Sequence, residues 1–289
     1  MKLAKFCRGD LSAQGIVDGD RVQVVGAWHA GNPLERTFDL PGMSRDEIAS
    51  KARGGESVAL IEVKLLPPIG PHSKVICVGF NYKSHVAETL TDLPLHPILF
   101  TKYPDAFVGN DEPILRPLAS SSFDFEGEIA VVIGKTGRHI SHADAMTHVC
   151  GYTVAMDGSL RDFQKHSLAV GKNFWRSSSL GPWISTADEI PDPAQLNLTT
   201  RLNGVEMQSS SADLMVYDIS TLIAYISQWT PLSPGDVIAT GTPAGVGSRR
   251  TPPLWMKQGD VLEVTVDRVG SLRNPVEDET AHSLRESAA

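Results

Sequence analysis

The chain has 289 residues and a formal charge of −8 at pH 7, with 41% hydrophobic and 21% charged residues. That length fits one large domain or a main domain with a small appendage, and the composition supplies enough apolar material for a core, which excludes disorder as the main state. An acidic balance without a Lys/Arg run also excludes nucleic acid and anionic membrane as main partners, because counterion release needs a basic face.

Residues 1–68 read as a small β-rich N-terminal domain, with short alternating runs such as Arg21-Val22-Gln23-Val24-Val25 bounded by Asp18-Gly19-Asp20 and Gly31-Asn32-Pro33. The first residues hold no apolar stretch of signal-peptide length, and no later segment approaches the ~18 apolar residues of a membrane span. Cys7, Cys77 and Cys150 are far apart and form no CxxC pair, which argues against a disulfide framework or a cysteine zinc site. A cytoplasmic setting is therefore expected. Pro67-Pro68-Ile69-Gly70-Pro71 interrupts regular structure and marks the start of a second domain, 69–289.

In that second domain Lys74-Val75-Ile76-Cys77-Val78-Gly79 suits a buried strand, followed by a turn at Gly79-Phe80-Asn81-Tyr82. Further strands are expected at Ile129-Ala130-Val131-Val132-Ile133 and Tyr152-Thr153-Val154-Ala155-Met156, with a short helix between His142 and His148. Ile219, Leu222, Ile223 and Ile226 recur at helical spacing behind Asp218 as N-cap, and the helix ends at Thr230-Pro231. Pro234-Gly235-Asp236 and Gln258-Gly259-Asp260 are turns before the strands Val237-Ile238-Ala239 and Val261-Leu262-Glu263-Val264-Thr265-Val266.

The residues able to carry chemistry lie among these elements. In a strand Asp124, Glu126 and Glu128 would share one face about 6.6 Å apart, where like charges repel unless a cation neutralises them. Hard Mg²⁺ or Mn²⁺ prefers such carboxylate oxygens, although a solvated edge strand accounts for the spacing equally well. Asp157 follows an apolar strand; if the chain continues as a helix, Arg161 and Gln164 fall on its face, four and seven residues on. Lys172 offers a second cation for an anionic ligand. His85 and Glu88, at i and i+3, form a His–carboxylate dyad fit for general-base work, and the Gly-rich stretch Ala239 to Gly247, with the Thr242 hydroxyl, offers an oxyanion cradle. No GxSxG, HExxH or phosphate-loop motif occurs.

In this order the set resembles the fumarylacetoacetate hydrolase family over roughly residues 74 to 276: Gly79-Phe80-Asn81-Tyr82 with His85 and Glu88, Pro97 to Lys102, Asp124 to Glu128, Asp157 with Arg161, Asp162 and Gln164, Lys172, and Pro234 to Gly247. The resemblance implies Glu126, Glu128 and Asp157 as ligands of Mg²⁺ or Mn²⁺, with Ca²⁺ as a further option, and Asp124 as a supporting residue. It makes His85 and Glu88 the catalytic dyad, with Lys172 also in a catalytic role, and assigns Arg161, Gln164, Lys172 and Thr242 to the substrate. It further implies a mainly β, α+β fold, a mixed β-roll or barrel with a small N-terminal domain, and a homodimer.

In that family a 2-oxo acid chelates the metal, and the metal stabilises the enolate formed when a bond at C3 breaks. The leading expectation is a hydrolase that cleaves a C–C bond in an acylpyruvate-type diketo acid, the dyad activating water. Isomerase, decarboxylase or pyruvate aldolase chemistry on small anionic 2-oxo acids is the alternative, and a catalytically silent metabolite-binding homologue is a third reading. The sequence departs from the family at Gly158-Ser159-Leu160 and at Asn173-Phe174-Trp175-Arg176, where Trp175 and Arg176 predict a distal pocket for a larger or charged substrate tail.

Overall fold

The computed structural model describes residues 1–89 and 92–280; the last nine residues of the expected second domain lie outside them. A large mixed sheet runs in the order Ser57–Ala59, Arg21–Val24, Leu11–Asp18, Lys2–Arg8, Ser178–Thr186, Val149–Met156, Gly127–Ile133, Val237–Ala239, Val75–Gly79 and Ile98–Lys102. All neighbours along this path are antiparallel except Val237–Ala239 beside Val75–Gly79. Among the described residues the two ends do not pair, so the roll stays open instead of closing as a barrel. The N-terminal strands build a satellite core around Phe6, Val22 and Val58, and Lys2–Arg8 joins them to Ser178–Thr186 in the same sheet.

Gly127–Ile133 is buried at every residue, as a strand flanked on both edges and covered on both faces must be, and this explains its unbroken apolar run. The second sheet, Ile114–Arg116, Gly270–Asp278, Val261–Val266, Asn197–Leu202 and Val205–Ser211, packs one face only. Val261–Val266 therefore alternates half-buried and buried, matching the sequence expectation. The main core lies between the two sheets and beneath the Ile219–Trp229 helix, whose Leu222, Ile223 and Ile226 are fully covered and whose N-cap Asp218 accepts from Thr221 N at 2.7 Å.

Two local expectations need correction. His142 to His148 forms only a 3₁₀ turn at Ala145–His148, because Ser141 and Asp144 hydrogen-bond each other and the local backbone. Nor does Asp157 open a helix: Ser159–Leu160 pairs with Phe123–Asp124 as a two-stranded ribbon, and helical turns begin only at Arg161–Gln164. No helix among the described residues is long and apolar enough to cross a membrane.

Candidate metal and catalytic site

The ribbon between Phe123–Asp124 and Ser159–Leu160 sets the site. It breaks the expected three-carboxylate face after Asp124, so the regular strand starts only at Gly127. Asp124 turns aside to accept the N–H groups of Gly247 (2.7 Å) and Ser248 (3.0 Å) and the Arg161 Nε (2.8 Å). Glu126 and Glu128 instead converge with Asp157, with ligand oxygens within 4.8 Å of one another and all three residues buried. Spacing alone suggested Asp124 with Glu126 and Glu128; the third member of the structural cluster is Asp157.

Three cations meet this buried acid. Lys172 Nζ bridges Glu126 and Asp157 at 2.5 Å each, Lys102 Nζ holds the other Asp157 oxygen at 2.7 Å, and Arg161 Nη2 reaches Glu126 at 2.5 Å. With Asp124 included, four carboxylates face three cations, and Glu128 has no ion-pair partner among the described residues. Burial, then repulsion from Asp157 and Glu126, pushes the Glu128 carboxyl well above its usual range. Glu126 is driven up by burial too, but Lys172 and Arg161 outweigh that and hold it well below the usual range. A buried, oxygen-only donor set with one more carboxyl than it has cations, the extra one ionising only against an added positive charge, fits a hard divalent cation, and Glu126, Glu128 and Asp157 are the residues that would hold it.

The Lys83–Thr89 helix brings the dyad to the same place. His85 Nδ1 lies 3.1 Å from Glu88 Oε2, and Gly245 N–H donates to the other Glu88 oxygen at 3.0 Å. An ionised carboxylate only accepts, so Nδ1 carries the hydrogen and Nε2 keeps the lone pair of a base. Phe80, in the left-handed region at φ 56°, stacks on the imidazole with ring centroids 5.7 Å apart. Fully buried Asn81 anchors the start of this helix to Thr240 O (2.8 Å) and to the backbone of Tyr217.

Seven of the nine predicted site residues line one cavity of about 110 Å³: His85, Glu126, Glu128, Arg161, Gln164, Lys172 and Thr242. Glu88 stands behind His85, and Asp157 is held between the two lysines. The Thr242 hydroxyl is occupied, donating to Gly127 O at 2.9 Å and accepting from Gln208 at 2.7 Å. Its backbone N–H meets no protein acceptor among the described residues and is left as a free donor at the cavity. The expected distal pocket is not formed by Trp175 and Arg176. Arg176 pairs with Glu112 at 3.5 Å, and Trp175 lines a separate surface recess beside Tyr103 and Val170.

Lys102, Gln208 and Phe80 were not assigned roles from sequence. Lys102 sits at the end of an ordinary strand and Gln208 lies 81 residues from the Gly127 N–H it receives, so only the tertiary fold brings them in. Gly241 is required by geometry: at φ +102° its N–H reaches Glu128 at 3.0 Å, and a Cβ would sit 2.8 Å from Val78 O and 2.9 Å from Asn81 Cβ. Gly241→Ala is expected to keep the fold but displace Glu128 and weaken Mn²⁺ binding, which calorimetry on the variant would read; unchanged affinity would remove this loop from the site.

The fumarylacetoacetate (FAA) hydrolase C-terminal family model matches residues 74–277. The chain belongs to the fumarylacetoacetate hydrolase family. Among family relatives, the mitochondrial oxaloacetate tautomerase of Xenopus laevis is 39% identical over 287 residues, covering 96% of this chain and 90% of that protein. The fumarylacetoacetate hydrolase structure from Exiguobacterium antarcticum is 35% identical with a TM-score of 0.82, covering 96% of this chain and 100% of that one. The Sphingobium maleylpyruvate hydrolase, solved with manganese(II) and pyruvate, is 29% identical with a TM-score of 0.78, covering 97% and 100%. The family and the mainly β fold are those that the resemblance implied, and the structure brings Glu126, Glu128 and Asp157 together.

Proposed function

We propose that this protein is a divalent-metal-dependent tautomerase that interconverts the keto and enol forms of a compact 2-oxo dicarboxylic acid of the oxaloacetate class. The observation that carries the reading is the meeting of a His85–Glu88 base with the Glu126, Glu128 and Asp157 triad across one cavity of about 110 Å³. The tautomerase name of the Xenopus relative supports it, and a cavity of this size suits a four-carbon acid.

A Mg²⁺ or Mn²⁺ held by Glu126, Glu128 and Asp157 would supply Lewis acidity that eases loss of a proton beside the keto group. His85 Nε2 takes the proton from C3 and, as the imidazolium, returns it to the C2 oxygen to complete the enol; the reverse sequence regenerates the ketone. Glu88 keeps Nδ1 protonated and offsets the charge of the imidazolium. Lys172, Arg161, Gln164 and the Thr242 N–H orient the carboxylates. Val78, Phe80, Ile98, Phe100 and Leu168 exclude water, so these charges act in a low dielectric.

Hydrolysis of an acylpyruvate is the second reading, favoured by the Sphingobium neighbour's name. It demands the same base with an added water and room for the acyl group. Following the ultraviolet absorbance of freshly dissolved enol-oxaloacetate tests the first reading: the protein with Mn²⁺ should speed its decay, and EDTA should abolish the effect. Unaltered decay, with metal-dependent cleavage of acetylpyruvate, would favour the hydrolase instead.

A further inference from the structure

A second cavity, of about 320 Å³, lies in the N-terminal β-rich region and shares no lining residue with the catalytic cleft. That volume falls within the usual range for small-molecule sites, roughly 300–1,000 Å³. Lys5 stands opposite Gln14, and Cys7 opposite Ser12, in the antiparallel pair Lys2–Arg8 and Leu11–Asp18. Opposed residues share a face, as do residues two apart, so Lys5, Ser12 and Gln14 enter the cavity together. Arg36, Asp39 and Lys51 complete its charged lining, and His29 adds an imidazole.

Arg36 Nη2 donates to Ala30 O at 2.6 Å and Glu47 lies one turn before Lys51, but several polar groups of this cavity keep unused hydrogens. Lys5 is 3% exposed, and its ammonium donates to Arg36 O at 2.8 Å and Ile69 O at 3.0 Å, leaving one of its three hydrogens. Ser12 is equally buried, and its hydroxyl meets no protein partner among the described residues. Gln14 spends its Oε1 on the Asp39 N–H at 3.0 Å and keeps its amide hydrogens. No carboxylate forms an ion pair with Lys5, Arg36 or Lys51 among the described residues. Burial without a counter-charge lowers the Lys5 pKa to about 8.

We propose that this cavity is a second, anion-selective site that binds a small dianion, a dicarboxylate or a phosphate, through Lys5, Arg36 and Lys51 with Ser12 and Gln14 as neutral donors. Three cations against one carboxylate leave two positive charges, which a dianion balances. The hydroxyl, amide and ammonium hydrogens all suit oxyanion acceptors, whereas an apolar or cationic occupant would leave them unpaired. The catalytic cleft has the opposite character, an excess of acid that calls for a cation.

Calorimetric titration of the full chain with malonate, and separately with inorganic phosphate, tests the assignment. Saturable binding is expected, and Arg36→Gln and Lys51→Gln should each weaken it ~10-fold, the scale of one charge-assisted hydrogen bond. Both side chains are exposed, so neither change threatens the fold. Arg161→Gln, in the catalytic cleft, should leave this binding intact. Preference for malonate or for phosphate identifies which dianion the site takes. No saturable binding of either probe would overturn the proposal, as would binding that survives both N-terminal variants but is lost in Arg161→Gln.

Discussion

Replacing His85 by alanine should lower kcat for enol–keto interconversion by ~10²–10⁴-fold, the range that a positioned general base contributes. Mn²⁺ affinity should change little, because His85 donates nothing to the triad and lies on a separate element, the Lys83–Thr89 helix. The imidazole is held from two sides: Glu88 fixes Nδ1 while itself receiving Gly245 N–H, and Phe80 covers the ring. Steady-state rates read alongside metal calorimetry separate the two roles. Wild-type kcat in the variant would take the dyad out of the mechanism, and lost metal binding would make His85 structural.

The metal ligands should give the opposite pattern. Asp157→Asn and Glu126→Gln each remove a charged oxygen donor, and Mn²⁺ affinity should fall by more than the ~10–100-fold typical of outer-shell partners. These two residues also carry Lys172, Lys102 and Arg161, so breaking the buried pairs should cost the metal-free protein about 3–5 kcal/mol. Glu128 provides the discriminating contrast. Among the described residues it has no ion-pair partner, and it is opposed by Asp157 and Glu126, so Glu128→Gln should raise the Tm of EDTA-treated protein while reducing the further rise on adding Mn²⁺. Melting curves with and without Mn²⁺ read both signs; a lower Tm in EDTA would show that Glu128 is satisfied without a cation.

Much of the site was legible because each chemical group sits in a short local motif. The His85 to Glu88 spacing predicts contact on a single helical turn, and the 3.1 Å bond is that contact. Val261–Val266 and Ile219–Trp229 carried the periodicities of half-buried strand and amphipathic helix, and both formed. What failed depended on breaks in regular structure. The face shared by Asp124, Glu126 and Glu128 assumed an unbroken strand, and the helical face of Asp157 and Arg161 assumed an unbroken helix. The ribbon of Phe123–Asp124 with Ser159–Leu160 interrupts both, sending Arg161 to Asp124 and Glu126 instead.

Lys102 and Gln208 mark another limit. Both act through long-range contacts, Lys102 on Asp157 and Gln208 on Gly127 and Thr242; Lys102 ends the Pro97 to Lys102 motif, which by itself assigns it no role, and Gln208 lies in no motif at all. The Trp175-Arg176 pair erred in the other direction, because an aromatic beside a cation looks like a binding surface. Here the cation is taken by Glu112 and the ring faces a different recess. The small cavity that remains shifts the reading from a long-tailed diketo acid toward a compact one.

Proton NMR in D₂O, following oxaloacetate and acetylpyruvate in parallel with Mg²⁺ and with EDTA, tests the central claim most directly. The account predicts metal-dependent keto–enol interconversion of oxaloacetate with deuterium entering C3, lost in His85→Ala, and no comparable cleavage of acetylpyruvate. Metal-dependent release of acetate and pyruvate from acetylpyruvate, with oxaloacetate exchanging no faster than without protein, would contradict it.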